Sequence, residues 1–333
     1  MSGSGLASGK LPAALLRDLL TTDEPHLPEL LLPPRAGEDA GVIAVADGAL
    51  VVAGDPVTMT GADVGAHAVL VNANDIAVTG VRPRWFLATI LLPEGTSEDD
   101  VRVLFSGMQA MLKRHDILLV GGHIEVTTSV RQTVVSGHML GYASDGVFLR
   151  TADMQTGDVV LQIGAAPVEA AAVLANEVKA AEKTIPAELW QAALGALNEP
   201  GISVIEPALR AVSLGAHALH DPTEGGLSAG LHEMAEAAGL ALQLDEDAVL
   251  WFEPGIELCR SLDADPWGAL ASGALLAAFP ADGAERVCRT LISEGYRAAA
   301  IAHAGLGTGV NFIDGQALPR YERDEVLRLL GKL

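Results

Sequence analysis

The most apolar stretch of the chain, Val69 to Pro93, is interrupted by Asn72, Asn74, Asp75, Arg82 and Arg84, and this mixture constrains the fold more than any other feature. No run of about eighteen apolar residues survives, so the stretch is not a membrane span. It belongs in the interior of a globular fold, where each polar group needs a partner. Apolar residues recur at helical spacing from Gly61 to Thr79, Gly80 and Pro83 end the pattern, and Trp85 to Leu92 reads as a strand. Asp75 therefore sits inside a helix beside Ala73, Ile76 and Ala77, an unfavourable place for a carboxylate unless something answers its charge.

Alternation of strand and helix continues on both sides. Leu11 to Leu20 has helical spacing after a Gly/Ser-rich arm, and Pro33 and Pro34 break it. Val42 to Val45 and Ala49 to Val52 read as strands joined through Asp47-Gly48. Ser97 and Asp100 form a capping-box pattern that opens a helix to about His115. Ile117 to Val120 reads as a buried strand running into Gly121-Gly122, and Gln132 to Tyr142 as a longer one. The second half repeats the mixture, with a strand at Val159 to Ile163, helices over about Pro167 to Leu197 and Glu206 to Leu214, and an extended Ala218 to His220. The loop Asp221-Pro-Thr-Glu-Gly-Gly226 then leads into a helix over Leu227 to Ala238.

At 333 residues, half of them hydrophobic and 19% charged, the chain is long enough for two domains with separate cores. We place the boundary near residue 151, giving domains over 1–150 and 151–333 in an α/β (α+β) fold. The formal net charge of −22 repels a polyphosphate backbone, which argues against a nucleic-acid partner. Cys259 and Cys288 are the only cysteines, too few for a Cys-cluster metal site or a disulfide framework. With no signal-peptide pattern at the amino terminus, the expected compartment is the cytoplasm.

Several residues stand where chemistry is done. Asp39 precedes a strand, Asp55 follows one, and Asp75 lies in a helix; a divalent cation, Mg²⁺ above all, is a natural partner for such carboxylates together with substrate phosphates. Asp39 and Asp55 read equally well as turn or cap residues, and Asp75 as a backbone hydrogen-bond acceptor. Gly121-Gly122 after an apolar strand can cradle phosphates or form a simple turn or bulge. His123 and Glu125 alternate beyond it and offer a proton-handling or metal pair. Asp221, Gly225 and Gly226 offer a carboxylate and backbone donors at a helix start, or an ordinary cap and turn. Lys10 after Gly9 lacks the strand and the Ser/Thr of a Walker loop, and Gly305 to Gly309 lacks dinucleotide-fingerprint spacing.

Taken in order, Gly37-Glu-Asp39-Ala, Gly54-Asp55-Pro, Val71-Asn-Ala-Asn74-Asp75-Ile-Ala-Val-Thr-Gly80, Gly121-Gly122-His123 and Asp221-Pro-Thr-Glu-Gly225-Gly226 resemble the aminoimidazole ribonucleotide (AIR) synthetase superfamily, PurM-like, over nearly the whole chain. The superfamily includes selenophosphate synthetase, thiamine monophosphate kinase, formylglycinamidine synthase and the hydrogenase maturation protein HypE. The resemblance implies a two-domain ATP-using fold, an amino-terminal sheet that forms a dimeric barrel, and a homodimer. It implies that Asp39, Asp55, Asp75 and Asp221 hold Mg²⁺-ATP, that Asn74, Gly225 and Gly226 belong to the nucleotide site, and that Gly121 and Gly122 contact phosphates.

Gly9-Lys10-Leu-Pro is similar to the segment around the catalytic Lys of selenophosphate synthetase, but Ala7 stands where that family has Cys or selenocysteine. The second half is similar to HypE, whose Pro-Arg-Ile-Cys terminus carries a carbamoyl group, whereas here Pro319-Arg320 is followed by Tyr321. His123 stands where several members have an acid. The resemblance thus implies a HypE-like enzyme that activates an oxygen of an amide, acid or phosphate ester by phosphoryl transfer from ATP, with an unidentified acceptor and a protein partner in a maturation pathway. The alternatives are an ATP-binding maturation partner without catalysis and a small-molecule kinase resembling thiamine monophosphate kinase.

Overall fold

The structure, a computed structural model, describes residues 28–33, 38–58 and 64–331. Lys10, the amino-terminal arm and the helix expected over Leu11 to Leu20 lie outside the described residues.

Strands β1 (Leu30–Leu32), β2 (Gly41–Val45), β3 (Gly48–Ala53), β4 (Pro56–Val57), β5 (Pro83–Pro93), β6 (Leu118–Thr127) and β7 (Val134–Ala143) build the first sheet in the order β1-β2-β3-β7-β5-β6, with β4 also on β7. The β2–β3 hairpin closes as the sequence predicts, one residue earlier, with Ala46 at positive φ and Val45 paired to Gly48. Helices α1 (Val64–Ala77) and α2 (Glu98–Arg114) pack against each other, and α1 lies against β7. Ser97 and Asp100 form the expected reciprocal cap of α2. Helix α1 approaches β7 closely because β7 carries glycine: a Cβ at Gly137 would fall on the Asn72 amide.

One expectation fails here: Leu118 to Val120 is exposed, not buried. Gly121-Gly122 lies inside β6, just after a register shift against β5, and β6 runs through it as the outermost strand of the sheet, parallel to β5. Gly122 has φ +146°, and a Cβ there would meet the Ala88 carbonyl, so the strand passes through a conformation that only glycine adopts easily.

The second sheet contains β8 (Val159–Ile163), β9 (Ala218–His220), β10 (Ala241–Leu244), β11 (Leu275–Phe279), β12 (Ala298–Gly305) and β13 (Gly309–Phe312), ordered β13-β10-β12-β8-β11-β9. It is flanked by α3 (Val168–Glu177), α4 (Ala187–Leu194), α5 (Ile205–Ser213), α6 (Gly226–Ala238), α7 (Glu253–Ser261), α8 (Ala281–Ser293) and α9 (Glu325–Leu330).

One of the apolar clusters spans both halves, while another lies wholly in the second. Ile76, Phe86 and Met139 of the first half share one apolar cluster with Ile205, Leu219 and Phe279 of the second, because α5 packs directly on α1. This junction holds the candidate site.

Candidate nucleotide site

Helix α1 carries a row of buried polar groups, and Asn72 and Asn74 have distinct tasks. Asn72, fully buried, accepts a hydrogen bond from the Asp55 amide (2.8 Å) and donates to the carbonyls of Asp55 (3.1 Å) and Ala68 (2.8 Å). Its two-ended amide thus fixes the backbone of Asp55 just beyond β3. Asp75, also buried, stands one turn further along α1.

Asn74 turns to the other half of the molecule: its Nδ2 donates to the Ile202 carbonyl and its Oδ1 accepts from the Val204 amide, both at 2.9 Å. With both ends of its amide engaged by buried backbone, Asn74 is a clasp between the halves.

Asp39 and Asp221 approach from opposite halves. Glu38 accepts hydrogen bonds from the amides of Thr151 (3.1 Å) and Ala152 (3.4 Å), which seats the segment before β2 on the second half. The next residue, Asp39, binds His220 Nδ1 at 2.8 Å, and Glu233 of α6 binds His220 Nε2 at 3.1 Å. Burial opposes charge on His220, yet the Asp39 carboxylate and the hydrogen bonds to Asp39 and Glu233 hold the imidazole well above its ordinary value. The His220 ring therefore bridges two carboxylates and fixes Asp39.

Asp221 follows directly at the end of β9. Its Oδ2 is buried without a hydrogen-bond partner among the described residues. Burial pushes its carboxyl well above the carboxylate range, and the charges of Asp39 and Asp55 push the same way while His220 opposes them. Three of the four predicted acids therefore share one electrostatic neighbourhood, and one oxygen in it lacks a protein partner.

A cation fits this chemistry. Among the described residues no three His, Cys, Asp or Glu side chains are close enough to make a metal cage on their own. That suits Mg²⁺, which takes one or two carboxylates and completes its shell with water and substrate phosphates.

The remaining predicted residues divide. The Gly225 amide donates to Asp324 Oδ2 at 2.8 Å and the Gly226 amide to the Thr223 carbonyl at 3.1 Å, so neither N–H is presented to a phosphate: Asp324 takes the first and the loop's own turn the second. Gly225 and Gly226 have φ of +87° and +73°, and a Cβ at Gly226 would run into the backbone of Trp267 to Ala269. Their place in the motif comes from this tight turn. His123 and Glu125 lie exposed on β6, 3.4 Å apart. Through the pairs Pro56–Ser136, Ser136–Thr89 and Thr89–His123, His123 shares a cross-strand row with the segment after Asp55, three strands away. At about 4.8 Å per strand that is roughly 14 Å.

His220, Glu233 and Glu38 escaped the sequence reading. The only local signal was the position of His220 immediately before the Asp221 loop.

Comparison with known proteins follows this geometry. The AIR synthase related protein N-terminal domain matches residues 37–143, and the corresponding C-terminal domain matches residues 155–314. The chain belongs to the AIR synthase related family. Carbamoyl dehydratase HypE of Rhizobium leguminosarum bv. viciae is 27% identical over 312 residues, covering 86% of each protein. The structure of HypE in complex with ATP superposes with a TM-score of 0.71 at 20% identity, covering 96% of this chain and 98% of that one. AaThiL complexed with AMPPCP and TMP gives 0.70 at 18% identity over 85% and 90%. The HypE–HypF complex gives 0.67 at 21% identity over 86% and 94%. These structural likenesses establish the two-domain PurM-like fold of this family member.

Proposed function

We propose that this AIR synthase related protein is a Mg²⁺-ATP-dependent enzyme that activates an oxygen of an amide, acid or phosphate ester by transferring a phosphoryl group to it. The observation that carries the reading is Asp221 Oδ2, a buried carboxylate oxygen beside Asp39 and Asp55 without a hydrogen-bond partner among the described residues. Relatives named carbamoyl dehydratase and similar folds bound to ATP or AMPPCP support the same chemistry.

Asp39, Asp55, Asp75 and Asp221 would hold Mg²⁺ ions, one or two carboxylates to each, and the ions would supply charge neutralisation for the triphosphate and the transferred group. The chain's own contribution is positioning. His220 fixes the Asp39 carboxylate from the second half, Asn72 fixes the Asp55 backbone, and Asn74 holds the two halves in register. An acid site that is electrostatically uncomfortable without a cation is ready for one.

The acceptor is a separate molecule. Cys259 is buried and its thiol is pushed up to about 12 by burial and the nearby Asp324, Glu325 and Asp265. Cys288 is half-buried, with its thiol raised by burial and its Sγ 3.5 Å from the Ala298 carbonyl. Neither offers a reactive thiolate to carry a group into the site.

A homodimer belongs to the proposal. Leu118, Val120, Ile124 and Val126 are exposed along β6, the open edge of the first sheet, and a second copy laid against that edge covers them and brings the Gly121-Gly122 segment into an interface. The HypE–HypF complex supports a protein partner as well. Among the described residues no helix is long and apolar enough to cross a membrane, and we place the protein in the cytoplasm.

Calorimetric titration of ATP, with and without Mg²⁺, into the wild type and Asp221→Asn tests the site. The expected result is binding that requires Mg²⁺ and weakens by roughly 10-fold or more in the variant. ATP binding indifferent to Mg²⁺, or equal in both proteins, refutes the reading. ADP release on adding candidate acceptors then separates an enzyme from an ATP-binding partner without catalysis.

A further inference from the structure

The loop that presents Asp221 is not held by its own half-turn alone. After β13 the chain returns across α6 as a strap: the Leu318 carbonyl accepts from His232 Nε2 at 3.1 Å, the Pro319 carbonyl accepts from the Ser228 hydroxyl, and Arg320 pairs with Glu236 at 2.6 Å. Tyr321 donates its hydroxyl to Asp265 at 2.6 Å, and its ring covers Gly268, where a Cβ would strike it. The strap ends at Asp324, buried at 2% exposure. Asp324 uses its two oxygens on two different elements. Oδ1 caps α9 by accepting from the Val326 amide, and Oδ2 accepts from the Gly225 amide, both at 2.8 Å.

Gly225 stands at positive φ at the turn that sends the chain from Asp221 into α6. Its amide is the point where the turn is tied to a residue 99 positions later. Thr223 is tied in turn by accepting from the amides of Gly226 and Ala271, both at 3.1 Å. A carboxylate bonded to a backbone N–H is among the stronger single hydrogen bonds available to a loop.

We propose that Asp324 is a positioning residue for the nucleotide site: through Gly225 it holds the loop that places the Asp221 carboxylate for its metal. The inference rests on the Mg²⁺-ATP reading above. It assigns to the carboxy-terminal strap a part in metal binding that none of its residues performs by touching the ligand.

Two variants keep the α9 cap and remove the clamp. Asn and Ser are both good helix caps. Asp324→Asn keeps the size and turns an NH₂ toward the Gly225 N–H, and Asp324→Ser caps Val326 with its single oxygen and cannot serve Gly225. Calorimetry of ATP with Mg²⁺ and with EDTA reads the effect on each full-length protein, with Tyr321→Phe as a control that loosens the same strap away from the loop. Circular dichroism verifies that each variant is folded.

The expected result is a Mg²⁺-dependent gain in affinity reduced roughly 10-fold in both Asp324 variants, unchanged ATP binding in EDTA, and a Tyr321→Phe variant close to wild type. An undiminished Mg²⁺-dependent gain in either folded Asp324 variant overturns the proposal and leaves the nucleotide site standing. An equal loss in Tyr321→Phe also overturns it, by showing general support from the strap. A wild type with no Mg²⁺-dependent binding overturns the nucleotide reading, and this proposal with it.

Discussion

Asn74→Ala separates the two roles open to this residue, since its sequence motif places it in a nucleotide site and its hydrogen bonds make it a clasp. The substitution removes the acceptor of the Val204 amide and the donor to the Ile202 carbonyl, in a place where Asn74 is 1% exposed and Ile202 and Val204 are equally closed. Leaving two buried backbone groups unsatisfied costs about 1–3 kcal/mol for each, about 2–6 kcal/mol together, and about 3 kcal/mol is a conservative figure within that range. At about 2.1 cal/mol/K per residue, a chain of 333 residues has an unfolding entropy near 0.7 kcal/mol/K, and the melting temperature falls by about 4 °C. Differential scanning calorimetry reads that shift, and titration of Mg²⁺-ATP below the transition should give an affinity within about 2-fold of wild type. An unchanged melting temperature together with a large loss of affinity would refute the clasp.

Three further outcomes follow from the same geometry. Glu169 of α3 pairs with His67 of α1 at 2.9 Å and accepts from the Ser272 hydroxyl, all three buried; burial raises its carboxyl, but His67 and Ser272 outweigh that and lower it. Its stabilisation is present above the unfolded carboxylate range and lost as pH falls through the lowered folded value, and Glu169→Gln should cost about 3 kcal/mol at neutral pH, read by denaturant titration. Asp324 behaves oppositely: burial, with Glu224 and Glu169, pushes it from 3.8 up to about 7 against its two backbone hydrogen bonds. The folded chain keeps a proton that the unfolded chain releases, so wild-type stability falls as pH rises from about 4 to about 7, by at most about 4 kcal/mol, and Asp324→Asn flattens that slope; a parallel slope in both proteins contradicts it. Placing a charge on the open edge, as in Val120→Asp, should shift sedimentation from dimer to monomer, and an unchanged oligomer would remove β6 from the interface.

Much of the candidate site was legible because its signals are local. The polar residues inside Val69 to Pro93, the Asp221 loop before a helix and the acids at element ends follow from periodicity and turn chemistry within a few residues, and their order along the chain carried the family resemblance. The capping box of α2 and the β2–β3 hairpin came through for the same reason.

The tertiary structure decided which of those residues meet, and what each does when it meets another. His220 finds Asp39 from 181 positions away, Asn74 finds Ile202 from 128, and Gly225 finds Asp324 from 99. No pattern within a helical turn or a strand encodes a partner at that distance. The sequence alone established an α/β chain with acids at element ends and inside a helix, for which a cation is one natural partner. Only the packing of α5 on α1 and the return of the strap over α6 determined that Asn74 binds protein backbone and Gly225 the Asp324 carboxyl, while Asp221 Oδ2 has no hydrogen-bond partner among the described residues. The physical reason is that a buried polar group takes the partner that the fold brings within about 3 Å, whatever the motif around it resembles.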